Sequence, residues 1–221
     1  MKSSYYKYFA ALLLFGSNGI VASNINLPSY EIVLLRLLLG SLFLITVFTV
    51  SRQRFTFYRN KHTCLYLFIS ASAMGASWML LYEAYQQVGI SIASLAYYCG
   101  PVIVMILSPF LFRETLTWPK IAGFLTVLAG MCLVNLQALD EGKTIWGLFC
   151  GLMSAFMYAL MVTANKKAKP ESGLENSLLQ LVIGSFIVVA FVSMQKNFVL
   201  SLTTIDWIPV LLLGLLNTGI G

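Results

Sequence analysis

Charge is what this sequence has least of. Only 10% of its 221 residues are Asp, Glu, Lys or Arg, and only eight are acidic. A water-facing surface needs far more, since a soluble domain carries about 25%. Histidine occurs once, at His62 in a basic loop. A histidine-based metal centre is therefore not expected, and neither is a zinc protease built on His-Glu-x-x-His. Cysteine occurs four times, at Cys64, Cys99, Cys132 and Cys150, with no Cys-x-x-Cys pair. All four fall in or beside apolar runs, where small buried side chains are expected rather than disulfides or metal ligands. There is no Gly-x-x-x-x-Gly-Lys-Ser/Thr loop, so ATP-driven pumping by this chain is not expected. A rhomboid-like serine protease needs a histidine inside the membrane, and aspartyl proteolysis or prenyl transfer needs paired aspartates; neither is present. No catalytic residue and no cofactor is expected, and the chain is not read as an enzyme.

What the sequence does have is apolar length. Hydrophobic residues make up 59%, and the mean hydropathy is +0.83. Runs near 20 residues, flanked by charge, fit a hydrocarbon core of about 30 Å. Spans are predicted at about 8–22, 29–50, 64–85, 90–112, 119–138, 144–164 and 176–194, with an eighth from Trp207 to the end at Gly221. The first could be a signal peptide. The spans that follow, and the polar Gly16-Ser17-Asn18-Gly19 inside it, favour a retained helix. The fold class is all-α, a polytopic helical membrane protein.

Lysine and arginine set the orientation. Lys2, Lys7, Arg52, Arg54, Arg59, Lys61, Arg113, Lys120, Lys166, Lys167 and Lys169 fall on one side, against Lys143 and Lys196 on the other. A cytoplasmic N-terminus in the cytoplasmic membrane is expected. The same bias accounts for the net charge of +6 without a nucleic acid partner.

Glu31-x-x-Leu34-Leu35-Arg36-Leu37-x-x-Gly40-Ser41 returns 144 positions later as Glu175-x-x-Leu178-Leu179-Gln180-Leu181-x-x-Gly184-Ser185. The same offset carries Gly75 to Gly219. A period this long indicates two copies of a multi-helix unit. With five spans per unit, an odd number, the copies insert upside down relative to each other, as in many secondary transporters. The first repeat is assigned to 1–138. The second, 144–221, is read as incomplete: two spans and part of a third, with roughly 60–70 further residues expected beyond Gly221 on the strength of the repeat.

Several short motifs then carry a resemblance. They are Pro28-x-x-Glu31-x-x-x-x-Arg36, Gly75 with Tyr82 and Ala84, Tyr98-x-x-Pro101-Val102, and Glu114-x-x-Thr117 followed by Gly123 and Gly130. Together they resemble the EamA family of the drug/metabolite transporter superfamily. The resemblance implies ten helices in two inverted five-helix repeats, about eight of them present here. It also implies cytoplasmic termini and export of small metabolites, amino acids or drugs.

The candidate site follows from polar groups at depth. Arg36 lies inside its span, where a charge costs about 2.5–3.5 kcal/mol on insertion scales. Glu83 lies at comparable depth in the third span. Three readings stand: each snorkels to the interface, they form a structural ion pair, or there is a functional role in which either Glu83 titrates or Arg36 holds an anionic substrate group. Pro101 removes a helix donor and frees the Tyr97 carbonyl, which is tolerated beside protein or a wet cavity. Ser94, Tyr97 and Pro101 share one helical face, as do Gly75, Trp78, Tyr82 and Tyr85. Trp78, Tyr82, Tyr97 and Tyr98 are cavity-lining candidates, with packing or the interfacial belt as the competing account, and for Tyr85 that account is favoured. Ser17 and Asn18, with Asn217 and Thr218 at a similar polar point of span eight, mark either the binding region or close helix packing. Gly147-x-x-x-Gly151, Gly123 and Gly130 are read as packing faces. Expected partners are a small-molecule substrate and the lipid bilayer, with a coupling proton and a homodimer as open options. The classes weighed against a transporter are an intramembrane enzyme and a sensor or channel scaffold.

Overall fold

The computed structural model describes residues 2–113, 115–135, 145–168, 172–194 and 207–220. Every regular element among them is helical: α1 (Lys2–Ser23), α2 (Ser29–Val50), α3 (Lys61–Tyr97), α4 (Cys99–Phe112), α5 (Trp118–Asn135), α6 (Ile145–Ala168), α7 (Gly173–Ser193) and α8 (Trp207–Leu211). The last continues as a π-helix over Leu212–Ile220. Tyr30–Val50, Lys61–Phe112, Ile145–Ala168 and Gly173–Ser193 are long and apolar enough to cross a membrane. Glu114, Lys143, Lys169, Lys196 and the 195–206 connection lie outside the described residues.

Local chemistry explains the boundaries. Pro28, with φ −56° and ψ 149°, leads the chain extended into α2, and Glu31 in the first turn complements the helix dipole. Asn60 caps α3 by accepting from the His62 N–H at 2.9 Å. Ser172 caps α7 through the Glu175 N–H. The Glu175 carboxylate does not close a capping box. It accepts from the Thr56 N–H and hydroxyl, both at 2.6 Å, and from the Phe57 N–H at 2.9 Å. That ties the α2–α3 connection to the start of α7.

A straight helix over the 52 residues Lys61–Phe112 would run about 78 Å at 1.5 Å per residue, far beyond a bilayer of about 30 Å. The chain folds back instead. Gly89 takes φ +80° and ψ 164°, a conformation without steric penalty only for glycine. Ala84 and Ala96, on either side of that corner, both approach Gly151 of α6. The turn between the expected third and fourth spans is thus one residue, not a loop. The fourth span is itself broken. The helix stops at Tyr97 and restarts at Cys99, putting Pro101 in the first turn of α4. The chain breaks at Tyr98, three residues before Pro101, because in a continuous helix the proline ring would strike the Tyr97 carbonyl.

Two seams hold the bundle. In the first, α3 packs on α6 through small residues. Ser77 and Ser154 exchange hydroxyl-to-carbonyl bonds of 2.9 and 2.8 Å. A Cβ on Gly147 would lie 2.5 Å from Val88, and one on Gly151 would lie 2.8 Å from Ala96. That pair is a packing face. Gly123 is not: nothing among the described residues lies within 4 Å of its Cβ position, because α5 sits at the margin of the described bundle and touches chiefly α3. In the second seam α2 crosses α7, and there the 144-residue offset becomes visible in space. Ser41 and Ser185 bond to each other at 3.0 Å. A Cβ on Gly40 would meet Thr218 and Leu181, and one on Gly184 would meet Met74 and Leu37. Each contact is the other shifted by 144 positions. Reciprocity of this kind is what a two-fold relation generates. Gly75 packs on α7 as Gly219 packs on α2.

Of the cysteines, Cys150 is buried, but Cys64 is exposed rather than buried as its apolar setting led us to expect. Cys64, Cys99 and Cys150 are all free thiols.

Candidate functional site

One face of α3 builds a wall. Trp78, Leu81, Tyr82 and Tyr85 recur at three- and four-residue intervals and therefore point the same way. They line a cavity of about 400 Å³, within the range that holds small ligands. The broken fourth span closes a second side with Ser94, Tyr97, Tyr98 and Pro101. Gly16 and Asn18 of α1, Arg36 of α2 and Tyr158 of α6 complete it. The rings are in mutual contact: Tyr82 and Tyr85 have centroids 5.4 Å apart, and Tyr97 meets Tyr158 edge-on at 5.3 Å.

Arg36 is the charged group of this wall, and only 2% of it is exposed. Its Nη1 donates to the Tyr82 hydroxyl at 2.7 Å and its Nε to Thr218 Oγ1 at 3.1 Å. The guanidinium lies 3.9 Å from the Trp78 ring centroid, a cation–π distance. It neither snorkels nor pairs with Glu83, two of the readings open from sequence. Glu83 accepts from Gln87 Nε2 at 3.0 Å and does not line the cavity. The reason is helical phase. Glu83 follows Tyr82 by one position, which turns it about 100° away from the aromatic face.

Ser17, Asn217 and Thr218 stand behind the wall rather than in it. Asn217 Nδ2 donates to the Leu14 carbonyl, Ser17 Oγ and Asn18 Oδ1 at 2.9–3.0 Å. The two polar interruptions noted in α1 and span eight are therefore one hydrogen-bonded cluster, and it holds Asn18 toward the cavity. Thr218 donates to the Leu213 carbonyl, five residues back. That spacing suits the wide turn of the π-helix, a feature common at functional sites. Of the four residues 16–19, a Cβ on Gly16 would meet nothing within 4 Å among the described residues, whereas one on Gly19 would lie 2.5 Å from Ile90. Binding and packing are each served, by different residues.

Tyr85 is a correction. It lines the cavity instead of sitting in an interfacial belt, because the Gly89 corner folds Ser94 and Tyr97 back over it. Tyr158 went unseen in the sequence. Its signal was its place one turn beyond Gly151 and Ala155, the small-residue face of α6. Gly100 makes room for it: a Cβ there would lie 2.7 Å from the Tyr158 ring.

A second cavity, about 770 Å³, opens between the end of α1, the start of α2 and the Gly89 corner. Tyr82 and Tyr85 line both cavities. Among the described residues no cluster of three or more His, Cys, Asp or Glu side chains could hold a metal ion.

Comparisons with known proteins agree with this architecture. A family model described as the EamA-like transporter family matches residues 3–136. The chain is 26% identical over 221 residues to the "Uncharacterized transporter YxxF" of Bacillus subtilis (strain 168), covering 97% of this chain and 69% of that protein. A solved crystal structure with 18% identity superposes over the whole of this chain and 76% of its own, with a TM-score of 0.74.

Proposed function

Since the chain belongs to the EamA-like transporter family, we propose that it is a secondary transporter exporting small metabolites, amino acids or drugs across the cytoplasmic membrane by alternating access. The observation that carries this reading is the pair of cavities that share Tyr82 and Tyr85 in their linings. In this reading the gate between them is placed at those two rings. The reciprocal contacts of α2 and α7 support two inverted repeats that rock against each other. With a cytoplasmic N-terminus, the larger cavity is the outward vestibule.

Counterflow in proteoliposomes tests the proposal. Protein-containing vesicles preloaded with a mixed amino acid pool should accumulate labelled amino acid above protein-free vesicles. Asn18→Ala with Trp78→Ala should remove that uptake, whereas Phe110→Ala, at a position 81% exposed, should leave it unchanged. Uptake equal to that of empty vesicles, or uptake that survives the double substitution, overturns it. Glu83 lies off the cavity, so proton coupling is tested separately: Glu83→Gln abolishes pH-driven flux and spares exchange if that carboxylate carries the proton.

A further inference from the structure

We infer that the inner cavity selects anions, taking a small carboxylate with an apolar or aromatic body through Arg36. This rests on the transporter reading for the site and adds its substrate class.

The argument begins with an uncompensated charge. Arg36 is buried, and among the described residues its hydrogen bonds go to two neutral hydroxyls. Among the described residues no acidic side chain lines the cavity. A buried cation without a counterion is costly, and ring contacts offset only part of that cost. Two N–H groups are bonded, and a guanidinium has five. The remaining donors belong to a residue in the cavity wall, and a planar fork of donors matches a carboxylate with two parallel bonds.

The surrounding rings fix the rest of the ligand. A box of Trp78, Tyr82, Tyr85, Tyr97 and Tyr158 without a cation would attract an ammonium group through the ring faces. Arg36 already occupies the Trp78 face, so it repels a second cation and reverses the preference. The rings are then left to cover an apolar body. The volume of about 400 Å³ suits a solute of amino acid size. A carboxylate arriving at Arg36 also meets the guanidinium group that holds the Tyr82 hydroxyl, so binding bears directly on a ring that lines both cavities.

Calorimetric titration of the purified chain in detergent with phenylacetate, phenylacetamide and phenethylamine tests this. The three share a ring and differ in the charge of the end group. Phenylacetate should bind at least about tenfold tighter than the amide, the effect of a charge-assisted pair, and phenethylamine should bind weakest. Arg36→Gln should erase the gap between acid and amide, and Arg36→Lys should keep part of it. Equal binding of acid and amide, tighter binding of the amine, no saturable binding of phenylacetate, or a gap that persists in Arg36→Gln would each overturn the inference. The comparison of ligands on the unaltered chain decides the matter even if a variant misfolds. Loss of selectivity with counterflow intact removes only the anion site; selective binding without counterflow removes only the transporter reading.

Discussion

α2 and α7 carry the two occurrences of the motif that recurs 144 positions apart, and where they cross they make the same contacts. Leu37 and Leu181, Gly40 and Gly184, and Ser41 and Ser185 make each other's contacts across the crossing. One turn earlier they part. Arg36 sends a charge into the aromatic cavity, whereas Gln180 donates to Ser70 Oγ at 2.9 Å, and Ser70 in turn donates to the Met161 carbonyl. A residue at the crossing must fit its own counterpart, so both copies are held to one solution. A residue away from it faces different neighbours in each half and is free to specialise. The site proposed for the substrate lies where the two occurrences differ.

The largest test of that contrast exchanges the two off-axis residues. Gln180→Arg places a cation against neutral hydroxyls and carbonyls in the seam of α3, α6 and α7. It should cost roughly 2.5–3.5 kcal/mol, read as a lowered midpoint in SDS unfolding. Arg36→Gln removes a buried charge that has no acidic partner among the described residues and should be neutral or stabilising. Equal losses for both substitutions would show that the halves are not specialised in this way.

A smaller effect separates the two glycines. A Cβ on Gly40 would lie 2.7 Å from Thr218 Cγ2, while one on Gly184 would lie 3.2 Å from the terminal methyl of Met74. Threonine is stiff and its hydroxyl is engaged by Arg36, whereas a methionine end can swing aside. Gly40→Ala should therefore cost about 1–3 kcal/mol and Gly184→Ala less than about 1 kcal/mol. Comparable costs would mean that Thr218 is not held in place. The smallest effect belongs to the hydroxyl pair. A double-mutant cycle of Ser41→Ala and Ser185→Ala should give a coupling of about 0.6 kcal/mol, typical between membrane helices; zero coupling would remove the bond from the account.

Much of this was legible in the sequence because lipid imposes a simple rule. Apolar length and flanking charge gave α2, α6 and α7 within a few residues. The 144-residue echo located the pairs that meet at the crossing. Trp78, Tyr82, Tyr97 and Pro101 could be grouped because helical spacing puts neighbours on one face. What could not be read depended on how helices turn against each other. A one-residue reversal at Gly89 looks like any glycine in an apolar run, yet it moves Tyr85 from an expected interface into the cavity. Tyr158 belongs to the wall only through α6 lying on α3. Glu83 and Arg36 share a depth but not a direction, and depth was all that counting residues supplied.

The bond between Ser41 and Ser185 joins a position to its own image. If inward- and outward-facing shapes arise by the halves trading conformations, every other distance between them is swapped for its counterpart. This one is exchanged with itself. Its length would be the same in both end shapes, a fixed point about which the rest of the molecule can change hands.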